Sequence, residues 1–137
     1  MIHKIIRGVT IFLALALLAY IVVLKWPQAS VKSKTVDVEI NAKQIYDAFI
    51  NDEKDAETKY LGKVVSVSGI VDEIYEDEDG APIVILRGTD GNPTAVVTLE
   101  SNQKNKIATY QVGQNIKIKA QCSGMLMEVT FSKGIIL

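Results

Sequence analysis

The chain has one cysteine and one histidine, Cys122 and His3, and a long apolar run separates them. A thiol nucleophile needs a base within hydrogen-bond reach, and here the sole imidazole precedes a stretch fit to cross a membrane. Zinc would need three or four N or S ligands, and the sequence offers no such set. Cys122 alternates with Ile116, Ile118 and Ala120 in "NIKIKAQCSG", so it reads as a small buried hydrophobe. The acidic stretch "DEIYEDEDG", Asp72 to Gly80, could gather oxygen ligands, but its spacing is not that of an EF-hand loop. A solvated hairpin tip is the expectation there. Asp72 and Glu73 could serve as acid and base only inside a pocket, which a sequence does not display. No enzyme activity, metal or cofactor is therefore expected. The candidate ligand-binding residues are Tyr75 and Arg87, with Lys117 and Lys119 on the outward parity of their strand.

These side chains must be held by a β structure with a helix before it. In "NAKQIYDAF", Asn41 is a good N-cap and Gln44 completes a capping box. Ala42, Ile45 and Phe49 form an apolar stripe that Ala56 and Tyr60 extend, and "NDEKDAETK" is a solvated face with Glu53 and Glu57 near Lys54 and Lys59. A long strand follows, in which Val65 and Val67 have one parity and Ile70 and Ile74 the other. A bulge at Gly69 is expected to turn both pairs inward, so that one strand serves two sheets. "PIVILRG" and "PTAVVTLE" are strands joined by the Asp-Gly turn of "TDGN". "SNQKNKIATYQVG" reads as a loop holding a short helix; "NIKIKAQCSG" and "EVTFSKGIIL" are two more strands, the last with Val129 and Phe131 inward. Either Val84 and Leu86 or Ile83 and Ile85 must face away from the core, and cover by the helix through Ile45 and Phe49 is expected. The fold class is mainly β: a five-stranded OB-fold Greek-key barrel with an N-terminal helix, a short helix between strands 3 and 4, and one transmembrane helix ahead of it.

From Ala42 to Leu137 the chain resembles the bacterial OB-fold family called tRNA-anticodon-like (tRNA_anti-like), members of which are exported or membrane-anchored. "AFINDEKDAETKYLGKVVSVSGIV" and "VGQNIKIKAQCSG" carry the resemblance. The family name records a likeness of fold. Members often end with a second cysteine where this chain has Gly134, so the resemblance implies that Cys122 forms no disulfide within one chain.

"GVTIFLALALLAYIVVL", Gly8 to Leu24, carries no charge; Lys4 and Arg7 precede it, and Lys25, Trp26 and Pro27 follow. Seventeen helical residues reach about 26 Å, and Ile5 and Ile6 lengthen the span if Arg7 snorkels. Trp26 suits the interface and Pro27 ends the helix. A signal cleaved after Ala29 would place Pro27 three residues before the cut, so an uncleaved signal anchor is preferred. The expected domains are a tail at 1–7, a transmembrane helix at 8–26, a linker at 27–40 and the OB-fold domain at 41–137. Residues after 34 hold ten Lys and Arg against sixteen Asp and Glu, a net −6 that repels phosphate backbones.

The expected protein is a single-pass inner-membrane protein with its C-terminal domain in the periplasm. It binds the membrane through the N-terminal helix and contacts an envelope protein or a small ligand as a non-enzymatic adaptor. A structural subunit of an envelope complex is the alternative, and nucleic acid is disfavoured by the charge.

Overall fold

A computed structural model describes residues 1–24 and 29–137, with the side chains of His3 and Lys4 left out. Helix α1 (Ile2–Leu24) contains a 20-residue apolar stretch, Ile5–Leu24, long enough to cross a membrane. It begins at Ile2, so most of the stretch expected as a tail is helical. The roles expected of Lys25, Trp26 and Pro27 lie outside the described residues.

Strand β1 (Val38–Asn41) leads into helices α2 (Ala42–Asn51) and α3 (Glu53–Tyr60). Five strands follow: β2 (Val64–Glu76), β3 (Pro82–Arg87), β4 (Pro93–Leu99), β5 (Asn115–Met125) and β6 (Val129–Ile136). A short helix α4 (Lys104–Ile107) lies between β4 and β5. The order β2-β3-β4-β6-β5 closes through a β2–β5 pairing, with β4 and β6 parallel. This is the expected OB barrel, mainly β with helices.

The long strand does serve two partners. Val64 to Ile70 pair with β5, and Ile70 to Glu76 pair with β3. The register shift, however, falls between Val71 and Glu73 and not at Gly69. Val65, Val67 and Val71 are buried on one parity, and beyond Asp72 the core side passes to Ile74. Ile70 points outward, contrary to expectation. Gly69 has another use: a Cβ there would stand 3.2 Å from Ala42 Cβ and 3.1 Å from Leu86 Cβ. The glycine lets α2 and β3 close on β2.

Inward residues of β5 and β6 match the alternation: Ile116, Ile118, Ala120, Cys122, Val129 and Phe131 are all buried. Val84 and Leu86 are the inward pair of β3, which leaves Ile83 and Ile85 outside and half-buried. The expected cover by the helix is corrected. Ile45 and Phe49 join the barrel core with Val84 and Leu86, so α2 plugs the barrel and does not lie over its outer face. Its Asn41–Gln44 capping box forms as expected. On α3, Lys59 pairs with Asp55 at 2.7 Å; the neighbouring glutamates are not its partner.

The segment expected as a linker is docked. Val31 is fully buried in a short turn on β5 and β6, Ser30 bonds Glu100, and Lys119 Nζ donates to the Lys32 carbonyl at 3.3 Å. Asp37 then exchanges bonds with Val64, its N–H donating to the carbonyl at 2.8 Å and its carboxylate accepting at 2.9 Å. Residues 38–41 continue as β1, parallel to β2. Four residues are too few for an alternating pattern to reveal such a strand.

Candidate ligand cleft

The four candidate side chains do not form one site. Arg87 ends β3 opposite Ile70, whereas Tyr75 stands opposite Ile83, about 13 Å away along the strand. Tyr75 is 41% exposed on an outer face that also carries Ile83, Ile85 and Val96. Lys117 is ion-paired with Glu39, and Lys119 is bound to the docked segment. Both lysines are engaged within the chain.

Arg87 lines an open cleft of about 410 Å³. Its walls come from four elements: Asn41 to Gln44 and Asp47 from the start of α2, Ser68 to Ile70 from β2, Arg87 to Thr89 from the end of β3, and Asn115 from the start of β5. The cleft exists because β2 changes partners there. Its first half lies beside β1 and its second beside β3, and α2 enters across the gap. Gly88 permits the approach, since a Cβ at that position would lie 3.0 Å from Lys43 Cδ.

Asp72 Oδ1 lies 3.7 Å from Arg87 Nε, close enough to attract but outside hydrogen-bond reach. Buried Nε therefore lacks an acceptor among the described residues. Such a donor is costly to leave unpaired. Lys43 sits across the cleft, with Asp47 at 2.9 Å and Asp90 at 3.8 Å. Its hydrogen bond to Asp47 raises its pKa above the usual lysine value. Asp90 accepts from the Asn92 N–H, which holds its carboxyl below the usual range. Around the two cations, Asn41, Gln44, Ser68, Thr89 and Asn115 add neutral donors and acceptors. The arrangement suits recognition of a small polar ligand. The sequence identifies the start of α2 through its capping box but gives no sign that Lys43 there would stand across a cleft from Arg87.

The acidic stretch is dispersed among separate partners. Asp72 faces Arg87, Glu76 pairs with Lys104 at 3.3 Å, and Asp77 Oδ1 accepts from the N–H groups of Asp79 and Ala81. Asp77 thus closes a hairpin turn, as a solvated tip requires.

The model of one family, tRNA_anti-like, matches residues 1–136. No curated protein matches the chain. Among solved structures, a "putative nucleic acid-binding lipoprotein" from Klebsiella pneumoniae subsp. pneumoniae MGH 78578 is similar, with a TM-score of 0.60 and 18% identity. The match covers 72% of this chain and 90% of that one. A "putative aspartyl-tRNA synthetase" from Leishmania major Friedlin is similar at TM-score 0.48 and 11% identity, over 80% of this chain and 22% of that one. At 18% identity the first likeness speaks for the fold alone, and the second carries no argument.

Proposed function

The chain belongs to the tRNA_anti-like family, and on that premise we propose that it is a membrane-tethered, non-enzymatic recognition module that takes a small polar ligand at the Arg87 cleft. The observation that carries this is a cleft of about 410 Å³ with Arg87 and Lys43 in its wall and neutral polar side chains around them. That volume suits a small molecule or a single side chain of a partner. The apolar α1 acts as an uncleaved anchor, and the domain works on the periplasmic side of a bacterial inner membrane.

A polynucleotide is the competing ligand, favoured by the nucleic-acid-binding description of the similar Klebsiella lipoprotein. Two features oppose it. The region after residue 34 carries −6, from ten cationic against sixteen anionic side chains. The outer face of β2 and β3 offers a single exposed aromatic ring, Tyr75, where base stacking calls for several.

Titration of labelled single-stranded DNA and RNA into the detergent-solubilised chain at low salt is expected to show no saturable binding. Salt-sensitive micromolar binding would overturn the choice of ligand. A photo-reactive residue at Thr89, activated in intact cells, is expected to capture an adduct that is lost with Arg87→Ala and kept with Tyr75→Ala. A partner retained by both variants would instead favour a structural subunit of an envelope complex.

A further inference from the structure

The docked segment restricts how the barrel can stand on a membrane. Helix α1 ends at Leu24, and Ala29 is only five Cα steps further on, a reach of at most about 18 Å. A freely swinging domain would need the chain to stay loose beyond that point. It does not. Ser30 is tied to Glu100 at the end of β4, Val31 is buried against β5 and β6, and Lys119 holds the Lys32 carbonyl. The barrel is therefore grasped on its β6 side, between β5 and the residue after β4, directly after the tether.

In the ring β2-β3-β4-β6-β5, the edge opposite β6 is the β2–β3 pair, where the Arg87 cleft opens. We propose that the strap Ser30–Lys34 holds the β6 side of the barrel against the lipid headgroups, so that the cleft opens away from the membrane. The proposal rests on the reading of α1 as an anchor. The headgroup layer is only roughly 5–7 Å deep on each side, so an 18 Å tether leaves this flank next to it.

The chemistry of the flank agrees. Lys32 and Lys34 are exposed along the strap, and Lys119 lies beneath it. Lys133 lines the shallow recess that holds Ser30. Lys32, Lys34 and Lys133 outnumber Glu100 on this side of an otherwise acidic domain, which suits an anionic lipid surface. A ligand or partner then meets the cleft from the open compartment, with no lipid in its path.

The test uses the full chain in vesicles of phosphatidylethanolamine and phosphatidylglycerol, in a Cys122→Ala background. Nitroxide labels are placed by Ser101→Cys, beside the strap, or by Thr89→Cys, at the lip of the cleft. Relaxation by nickel chelated to lipid headgroups is expected to be several-fold stronger at the first position. A Gly/Ser insertion of about ten residues between residues 28 and 29 leaves the strap docked and is expected to abolish the difference. Equal relaxation at both positions without the insertion, or stronger relaxation at Thr89, would overturn the orientation while the protein stays with the vesicles. Release of the protein by carbonate would overturn the anchor, and this orientation with it.

Discussion

Gly134 has no side chain because there is no space for one. A Cβ would lie 2.7 Å from Leu99 Cδ2 and 2.9 Å from Val97 Cγ1. Gly134→Cys is expected to lower stability by about 1–3 kcal/mol, read as a lower urea midpoint; an unchanged midpoint would show that the core yields freely. Cys122 is buried, and desolvation pushes its thiol up from the ordinary value. Less thiolate and little access make it inert. A disulfide reagent at mildly alkaline pH is expected to label it only after denaturation, and prompt labelling of folded protein would contradict that. Asp90 carries the opposite shift. Its folded pKa lies below its unfolded value, so its contribution is present above the unfolded pKa and disappears as pH falls through the folded one. Asp90→Ala should remove that part of the acid dependence, visible as a flatter stability profile below pH ~4.

At the scale of elements, α2 is both the plug of the barrel and one wall of the cleft. Its capping box joins the Asn41 carboxamide to the Gln44 N–H at 2.8 Å, and the Gln44 side chain returns to the Asn41 N–H. Asn41→Ala is expected to cost about 1 kcal/mol and to loosen the cleft, measured by denaturation and by faster amide exchange at Lys43 and Gln44. The strap is a second such element. Full burial of a valine is worth about 1.5–3 kcal/mol, so Val31→Asp should expose residues 30–37 to protease while β2 to β6 stay protected. Equal protection of the strap in that variant would deny that Val31 holds it.

For the whole molecule, an apolar helix long enough to cross a membrane precedes the barrel. The apolar residues of α1 are exposed over its length, a state that water does not tolerate for a helix of this composition. Carbonate extraction of membranes is expected to leave the chain in the pellet at full mass; release at a trimmed mass would show a cleaved signal. The barrel itself was largely readable in advance. Alternation in "NIKIKAQCSG" identified every inward residue of β5 up to Cys122, because a strand packed on one face must alternate. The cleft was much less so. Arg87 was found as a lone base on a strand, but Lys43 lies 44 positions earlier and belongs to a helix whose docking no local pattern specifies.

Local chemistry was enough to set the helix start at Asn41, the parities of β5 and β6, the apolar span and the order of strands that makes an OB barrel. Each of these depends on neighbours in sequence and on solvent, and both are encoded locally. The place of the bulge depended on the register of β3. The parities of Val65, Val67 and Ile74 allow the shift anywhere between Ser68 and Glu73, and pairing of Val71 with Leu86 and Ile74 with Val84 put it at Asp72. The strap likewise depended on a buried site for Val31 that β5 and β6 create only once they are paired. Contacts distant in the chain choose among locally equivalent arrangements, and they alone made a cleft at Arg87 and docked the strap on β5 and β6.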